Sequence, residues 1–463
     1  MQPNEKSLVP TDFNKLFSEQ SFRDIFTERL AGRNGGGRDR MTPDSYLLRH
    51  PDDFKSIPEK CTEGSFYFSK YNERLIMKGR GKYPRVISVP SVRDRLVLAV
   101  LNKYLQSKLA KDDWSRSANE RVRSVQNFRI KAGKRKVHYI KTDFKAFYDS
   151  IDRSVLLEIL RNKEIDSRAC ELIERAINTP TITSEQRDAP PMPEFGIPQG
   201  LAISNILSDI YLEEFDEFAS RLCEVYIRYV DDILFLQPKC DNLLELLTQF
   251  ITERNMNLVF HPEKIKYGVL GEDNLDFLGY EFTEKGTTVR HANVTSFFNR
   301  IAKECMNFKK QYQKKGLRPT YLYDDDDFIN TRIELLNLSV TGIKVQGKYF
   351  GWMHHYQQID NIGLLSMIDR KIHNVFLKFL PGNRRSDVKS LKKMYYLILG
   401  GQMDKEVFDY DSLSSTAQQR AYLQRLGRLD PDLQYSDTEI FEKYTQHRDL
   451  MRKKMEAHIG KKS

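Results

Sequence analysis

Residues 225–237 read VYIRYVDDILFLQ, two apolar runs that flank the pair Asp231 and Asp232. Such short runs are typical of strands, so this stretch predicts a β-hairpin with two carboxylates at its tip. A second β-rich stretch, VHYIKTDF (137–144), ends near Asp143, and an antiparallel sheet could bring the three carboxylates together. Clustered carboxylates on rigid strand ends suit two-metal nucleotidyl transfer, in which the ions lie about 3.5–4 Å apart. Asp-Asp is also a common turn dipeptide, so the pair alone leaves an ordinary turn as the alternative.

Other periodicities predict the elements around this hairpin. They are a strand–loop–strand over 64–90 with KGRGKYPR at its tip, a helix over 94–109, a helix over 203–215 (ISNILSDIYLEEF), a strand pair in NLDFLGYEF (274–282), and a mostly helical, basic region beyond 290 that DDDD (324–327) interrupts. This order of short strands and helices predicts a mixed α and β protein.

The chain is basic, with a formal net charge of +10, a pI near 9.1 and 11% aromatic residues. This balance suits phosphate-backbone binding and base stacking, although many basic soluble proteins bind no nucleic acid. No apolar stretch approaches the roughly 20 residues of a membrane span, and the N-terminal residues lack the layout of a secretory signal. The five cysteines include no CxxC pair, which argues against a zinc site and against a disulfide framework. These features predict a soluble, cytoplasmic protein without a membrane partner.

Six blocks of the chain, taken in order, resemble the fingers and palm of bacterial reverse transcriptases. They are RVISVPSVRDRLVLAVL (85–101), YIKTDFKAFYDSID (139–152), FGIPQGLAISNILSDIYL (195–212), YIRYVDDILF (226–235), HPEKIKYG (261–268) and LDFLGYEF (275–282). The resemblance implies an α+β right-hand polymerase fold whose palm contains an antiparallel sheet. The implied domains are an N-terminal segment with fingers (1–135), the palm (136–290), a helical thumb (291–395) and a mostly helical C-terminal extension (396–463).

The resemblance assigns metal-binding roles to four positions in the palm and a role in substrate selection to a fifth. It implies that Asp143, Asp231 and Asp232 are the metal ligands for two Mg²⁺ ions, with Mn²⁺ as a possible substitute. The carbonyl of Phe144 is implied as a further oxygen ligand. Tyr148 matches the bulky steric gate that excludes a ribose 2′-hydroxyl, with a core aromatic residue as the alternative.

The resemblance also implies residues that bind the incoming dNTP. Arg85 matches the fingers residue that grips the triphosphate, a task that the guanidinium fork suits. Gln199 and Gly200 match the lining of the nucleotide site, with a loop-to-helix cap as the alternative. Basic neighbours of Arg85 that a solvated loop would explain equally well are Lys78, Arg80 and Lys82.

Three further assignments concern the region around and beyond the carboxylates. Lys264 matches the lysine that the family places near pyrophosphate as a general acid, and Lys266 is the competing register. Asp149 and Asp152 are interpreted as the cap and first-turn acids of the following helix. The family's primer grip is matched by Phe277, Leu278, Gly279 and Tyr280.

Segments outside the palm indicate the kind of reverse transcriptase. GRNGGGRDRMTPDSY (32–46) resembles the template-contacting entry segment of bacterial and group II intron enzymes, but no cysteine–histidine cluster follows residue 305. VTG (340–342) resembles a retron thumb element, whereas the retron signature NAxxH is not found. The stretch VTGIKVQGKYFGWMHHYQQIDNIGLLSMIDRKI (340–372) is more similar to the thumb and tail of defence-associated enzymes that work with a noncoding RNA.

The sequence therefore predicts a reverse transcriptase that copies a dedicated noncoding RNA into cDNA in antiphage defence, as a ribonucleoprotein in the bacterial cytoplasm. The alternatives are a retron-type enzyme and a weakly templated DNA-synthesising polymerase. A non-catalytic RNA-binding scaffold is a rival that the intact carboxylate triple disfavours, and Tyr148 disfavours an RNA-synthesising polymerase. The priming mode, the template RNA, the oligomeric state and the fate of the cDNA stay open.

Overall fold

The computed structural model describes residues 13–31, 36–77, 83–186, 188, 191, 193–239, 242–322 and 324–459. The predictions for Lys78, Arg80 and Lys82, and residues 32–35 at the start of the 32–46 segment, lie outside them. The helices are α1 (Phe13–Leu16), α2 (Glu19–Ile25), α3 (Pro43–Arg49), α4 (Asp53–Thr62), α5 (Val92–Leu109), α6 (Ala118–Ala132), α7 (Phe147–Ser150), α8 (Arg153–Arg161), α9 (Ser167–Ile177), α10 (Ser204–Tyr211), α11 (Glu213–Leu222), α12 (Leu243–Glu253), α13 (His291–Gln313), α14 (Asp325–Thr341), α15 (Trp352–His355), α16 (Ile362–Lys371), α17 (Gly382–Arg385), α18 (Leu391–Leu399), α19 (Thr416–Arg425) and α20 (Asp437–His458).

The strands are short and form four sheets, which confirms the predicted α+β class. They are β1 (Tyr71–Ile76), β2 (Arg85–Val89), β3 (His138–Asp143), β4 (Thr181–Ile182), β5 (Val225–Tyr229), β6 (Asp232–Gln237), β7 (Lys266–Val269), β8 (Leu275–Phe277), β9 (Tyr280–Thr283), β10 (Gly286–Val289), β11 (Ile343–Val345), β12 (Lys348–Phe350) and β13 (Phe408–Asp409). The strand orders are β2-β1-β4, β5-β6-β3-β7, β10-β9-β8 and β12-β11-β13. The predicted strand pairs β1–β2, β5–β6 and β8–β9 are all antiparallel hairpins.

The chain divides into two compact units. The first comprises Met1–Ser117 and Arg135–Tyr267, and the second comprises Ala118–Lys134 and Gly268–Ser463. In the first unit, α5 begins at the cap Ser91 and buries every side chain from Leu96 to Leu101. Since a helix that is apolar all round has no face for water, α5 lies inside the core of this unit.

The predicted helix over 203–215 is wrong as a single element, because the structure divides it into α10 and α11 at Leu212. Three acidic residues, Glu213, Glu214 and Asp216, occupy the first turn of α11. Negative charge is favourable at a helix N-terminus, so these residues favour a new helix start at this point. The division matters for the site described below, because each of the two helices supplies one aspartate to it.

The second unit is mostly helical, as predicted for the region beyond 290, but it also contains a small sheet that was not predicted. Strands β11 and β12 form a hairpin whose turn residues, Gln346 and Gly347, both have positive φ. Paired positive φ angles match the twist of a two-residue hairpin. The acidic run starts helix α14, since Asp324 accepts hydrogen bonds from the backbone of Asp326 and Asp327. None of the described helices combines the length and the apolar character that crossing a bilayer requires.

Candidate active site

Asp143 and Asp232 lie directly opposite each other on neighbouring antiparallel strands. Asp143 is the last residue of β3, Asp232 is the first residue of β6, and the strand register pairs them. Both are nearly buried, with 6% and 9% of their surface exposed. All six residues of β6 are buried, as expected for a strand that is covered on both faces. The backbone therefore holds two of the three predicted carboxylates side by side.

Asp231 belongs to the two-residue turn that joins β5 to β6. The register pairs Tyr229 with Asp232, which leaves Val230 and Asp231 as the turn. Val230 has a φ of 61°, a left-handed conformation that is unfavourable for a β-branched residue. Strain of this kind costs about 1–3 kcal/mol and persists only where the surrounding structure enforces it.

Arg228 enforces the conformation of this turn, and our sequence reasoning missed it. Its guanidinium donates a hydrogen bond of 3.1 Å to the Val230 carbonyl and forms ion pairs of 2.5 Å with Asp216 and 3.0 Å with Asp209. The two aspartates come from α11 and α10, and Arg228 itself is 6% exposed. An arginine inside an apolar strand was the available signal, because a buried guanidinium needs carboxylate partners.

The three carboxylates create a locally negative site. The pKa of Asp231 is raised to about 6, chiefly by burial and also by the charges of Asp232 and Asp143, while Arg85 acts in the opposite direction. One carboxylate oxygen of Asp143, Oδ1, is buried and has no hydrogen-bond partner. A buried acceptor without a partner and a carboxyl that resists ionisation are both relieved by a bound cation.

The donors at this site fit a hard cation such as Mg²⁺, which prefers carboxylate and carbonyl oxygens. Among the described residues, however, no three His, Cys, Asp or Glu side chains lie close enough together to hold a metal ion. The three aspartates therefore lie at one site, but their carboxylates are not arranged to bind one metal ion together. The predicted fourth ligand, Phe144, pairs with Phe260 in an isolated antiparallel bridge, and its ring lies in the core.

Lys264 contacts Asp143 directly. It ends a short helical turn, Pro262–Lys264, and its ammonium group forms a close ion pair with Oδ2 of Asp143. The backbone beside it is tied to the same strand, since the N–H of His261 donates to the Asp143 carbonyl at 2.8 Å. Lys266, the competing register, is the first residue of β7. The geometry thus brings Lys264 to the carboxylates, and its role as a general acid stays a prediction.

Tyr148 lies in the short helix α7, within electrostatic range of the carboxylates. Its hydroxyl donates a hydrogen bond of 2.8 Å to Oδ1 of Asn205. The pKa of Tyr148 is raised to about 12, chiefly by burial and also by Asp231, while Arg85 acts in the opposite direction. The ring is partly buried and packs against the core of the first unit, so the role of a steric gate stays a prediction. Asn205, which fixes the hydroxyl, was not predicted.

The Gln199–Gly200 loop lies against the strand that starts with Arg85. The carbonyl of Gln199 accepts a hydrogen bond of 2.7 Å from the backbone N–H of Ser88 in β2. Gly200 has a φ of +103°, and a Cβ there would lie 2.7 Å from Ile87 and 3.0 Å from the Ser88 carbonyl. The glycine therefore does permit a close approach, but to β2. A direct contact with a nucleotide stays a prediction.

The structure separates the two acids that follow the first motif. Asp152 caps α8, as predicted, by accepting hydrogen bonds from the backbone of Ser154 and Val155. Asp149 was expected to belong to the same helix, and this is wrong, because it lies in α7. There it accepts a hydrogen bond of 3.4 Å from the side chain of Gln199.

The four predicted primer-grip residues form a tight hairpin in the second unit. Leu278 and Gly279 are the turn between β8 and β9, with φ angles of 49° and 83°. Phe277 and Tyr280 are fully buried, and the Tyr280 hydroxyl donates to the His355 carbonyl at 2.8 Å. Any contact with a primer must therefore come from the turn itself, since the two aromatic rings belong to the core.

Comparison with known proteins agrees with this site. Residues 76–282 match the family described as reverse transcriptase (RNA-dependent DNA polymerase). The chain is 24% identical over 226 residues to the group II intron-encoded protein LtrA of Lactococcus lactis, covering 47% of this chain and 37% of LtrA. It is 29% identical over 212 residues to an uncharacterized 91 kDa protein in the cob intron of Schizosaccharomyces pombe, covering 43% and 25%.

Two further comparisons concern a bacterial protein and a solved structure. The chain is 26% identical over 196 residues to protein YkfC of Escherichia coli, covering 40% of this chain and 50% of YkfC. Among solved structures, apo telomerase from Candida tropicalis aligns with a TM-score of 0.42 at 15% identity, covering 82% of this chain and 63% of that one. The chain thus spans between a quarter and half of the curated relatives it matches. Residues 76–282 match the reverse transcriptase family and have the predicted α+β right-hand polymerase fold, and over this part the chain is similar to bacterial relatives such as LtrA and YkfC.

Proposed function

We propose that this protein is an RNA-directed DNA polymerase that works by the two-metal mechanism. The observation that carries the proposal is the register of β3 against β6, which sets Asp143 opposite Asp232, with Asp231 in the adjoining turn. Two of these carboxylates are nearly buried and the third, Asp231, has a raised pKa, and such a cluster is unfavourable in an apolar sheet unless a cation joins it. The match of residues 76–282 to reverse transcriptases supports RNA-directed DNA synthesis as the reaction at this cation site.

In this proposal Asp143, Asp231 and Asp232 hold two Mg²⁺ ions, with the Phe144 carbonyl as a further ligand. The bound ions supply activation of the primer 3′-hydroxyl and neutralisation of the leaving pyrophosphate. Lys264, released from Asp143, donates a proton to the pyrophosphate. Its ion pair with Asp143 supports this role, because it keeps the ammonium group beside the carboxylates that would hold the ions.

Substrate selection falls to the chain's own residues around the carboxylates. Arg85 binds the triphosphate of the dNTP, and its electrostatic effect on both Asp231 and Tyr148 supports this role. Tyr148 excludes the ribose 2′-hydroxyl, and Gln199 and Gly200 line the nucleotide. The Leu278–Gly279 turn binds the primer end through its backbone.

We further propose that the template is a dedicated noncoding RNA, that the protein works with it as a ribonucleoprotein in the bacterial cytoplasm, and that the cDNA serves antiphage defence. The net charge of +10 and the resemblance of residues 340–372 to defence-associated enzymes support this part. The fingers over 1–135, the palm over 136–290, the thumb over 291–395 and the extension over 396–463 are the corresponding functional regions.

The test is to purify the protein from its native host and to sequence the nucleic acid that co-purifies. Wild type is compared with an Asp231→Ala, Asp232→Ala double variant. A matched control is the Asp326→Ala, Asp327→Ala double variant, which removes two exposed acids from the first turn of α14. We expect one small RNA with all three proteins, and complementary DNA with wild type and the control alone.

Two results would count against the proposal in different ways. If no DNA distinguishes wild type from the catalytic variant, with or without phage infection, the protein is an RNA-binding scaffold. If DNA appears without complementarity to any co-purifying RNA, it is a polymerase with weak template dependence. Either result contradicts templated synthesis on a dedicated RNA.

A further inference from the structure

A cavity of about 280 Å³ lies in the second unit, away from every residue assigned a role above. Helices α13, α14 and α20 and the segment after α19 form its walls. Most of the lining is apolar and forms the floor of the cavity. The floor residues are Cys305, Phe308, Leu335, Leu336 and Met451.

Basic and polar side chains complete the lining. Arg332 comes from α14, Arg428 follows α19, and Lys454 comes from α20. Lys454 forms an ion pair of 2.9 Å with Glu304, which also accepts a hydrogen bond of 3.0 Å from Ser339. The acid in the lining is therefore already engaged by other groups.

The two arginines have no such partner. Among the described residues, no carboxylate lies within ion-pair distance of Arg332 or Arg428. The Nε of Arg332 is buried and has no hydrogen-bond partner. Burial lowers the pKa of Arg332, and the neighbouring charge of Arg428 lowers it further. Arg428 is exposed, so water stabilises its charge, whereas the buried Nε of Arg332 without an acceptor is unfavourable.

An anion between Arg332 and Arg428 would satisfy both groups at once. Guanidinium groups bind phosphate through paired N–H donors, so a phosphate fits this position better than a single halide would. The apolar floor next to the arginines favours a ligand that also carries a flat, weakly polar ring. A phosphate linked to such a ring is a nucleotide.

We propose that this cavity binds one nucleotide, with its phosphate on Arg332 and Arg428 and its base on the apolar floor. At about 280 Å³ the cavity lies just below the range of about 300–1,000 Å³ for pockets that bury a small organic ligand, so it has room for one nucleotide at most and none for a duplex. The nucleotide comes either from the RNA or from free nucleotide in the cell. The site does not depend on the polymerase activity proposed above, and the two proposals are tested independently.

The test uses the full-length chain carrying Asp231→Ala and Asp232→Ala, in EDTA, so that the polymerase site does not hold nucleotide through metal ions. Radiolabelled 8-azido-AMP is cross-linked by light, and the labelled peptides are identified by mass spectrometry. We expect label on peptides from α13, α14 or α20. In a further Arg332→Gln, Arg428→Gln variant the labelling should fall at least about tenfold, since two charge-assisted contacts are lost.

The control is Lys453→Gln, which removes one positive charge from an exposed position of α20 beside the cavity. Its labelling should equal that of the parent chain. Label that maps elsewhere, or that falls equally in the control, overturns the proposal. The peptide map of the parent chain decides this even if the double arginine variant fails to fold.

Competition at equal concentrations distinguishes the sources. If unlabelled AMP protects the cavity better than a 5′-phosphorylated RNA oligonucleotide does, the ligand is a free nucleotide. If the oligonucleotide protects better, a nucleotide of the RNA occupies the site. If inorganic phosphate protects as well as AMP, the cavity recognises an anion without a ring, and the proposal of a nucleotide site is wrong.

Discussion

Two hairpin turns of the same length carry different parts of the proposed chemistry. The Val230–Asp231 turn joins β5 to β6, and the Leu278–Gly279 turn joins β8 to β9. Leu278 and Gly279 both have positive φ, as a two-residue hairpin requires, and the glycine adopts this conformation without penalty, although Leu278 does not. In the first turn, only Val230 has positive φ, and a β-branched residue at that position is strained.

The difference lies in what holds each turn in place. The Leu278–Gly279 turn has the φ angles that a two-residue hairpin requires, and its glycine fits tightly, because a Cβ there would lie 3.1 Å from the Tyr356 hydroxyl. The strained turn is fixed from outside, by the hydrogen bond from Arg228 to the Val230 carbonyl. Strain maintained by surrounding groups is typical of functional sites, and here it accompanies the carboxylates.

The largest expected effect concerns what the two turns carry. Asp231→Ala with Asp232→Ala should lower DNA synthesis by about a thousandfold or more, because the electrostatic stabilisation of the reacting groups is lost. Leu278→Ala, in the other turn, should change it by less than about tenfold, since only the backbone is proposed to bind the primer. Primer extension on a defined RNA measures both. Comparable losses in the two variants would mean that the turns do not differ in this way.

The next effect concerns the group that holds the strained turn. Arg228→Gln leaves the partly buried Asp216 and Asp209 without their cation, so the free energy of unfolding should fall by up to about 3–5 kcal/mol. The chain's exposed Arg221, on the same helix as Asp216, provides an Arg221→Gln control that should change it by less than about 0.5 kcal/mol. Urea unfolding followed by fluorescence measures both values. If the loss of stability in Arg228→Gln is no larger than that in the control, Arg228 does not hold the turn in place.

Exchanging glycine and side chain between the turns should have opposite outcomes. Gly279→Ala should destabilise the protein by about 1–3 kcal/mol, because it combines a positive φ with a crowded Cβ. Val230→Gly should change stability by less than about 1 kcal/mol, because relief of strain offsets the greater flexibility of glycine and the lost side-chain packing. The free energies of unfolding of the two variants, each compared with wild type, test this prediction. Equal losses in the two variants would show that the Val230 turn stores no strain.

The smallest effect is a pH dependence of the metal-free protein. The pKa of Asp231 is raised from 3.8 to about 6, so the folded state binds a proton more tightly than the unfolded state does. Stability should therefore fall as the pH rises from about 4 to 6, and Asp231→Asn should remove this part of the dependence. Thermal melting in EDTA measures it. Added Mg²⁺ should stabilise wild type more at pH 7.5 than at pH 5.5, and equal stabilisation would argue against Asp231 as a ligand.

The sequence was sufficient to predict the elements that carry the site. The apolar runs around Asp231 and Asp232 predicted the hairpin, and the strand ending at Asp143 was predicted from its β-rich composition. The Leu278–Gly279 turn was predicted for the same reason, since a glycine lay between two short apolar runs. These are local patterns, and local patterns are what a single sequence reveals.

What the sequence could not predict depends on contacts between distant segments. The partners of Arg228 lie on α10 and α11, and no spacing rule connects them to a strand. The ion pair of Lys264 with Asp143 joins residues on different elements in the same way. The position of Arg332 without a carboxylate partner was not predicted either, because the lack of a carboxylate near a side chain is a property of the folded chain.

The most direct test of the central claim is primer extension with purified protein, a defined RNA template, a DNA primer, the four dNTPs and Mg²⁺. Wild type is compared with Asp143→Asn, which keeps the size of the side chain and removes its charge. We expect DNA complementary to the template from wild type and almost none from the variant. Equal synthesis by both proteins would contradict it, because the carboxylate that faces Asp232 across the sheet would then have no part in the reaction.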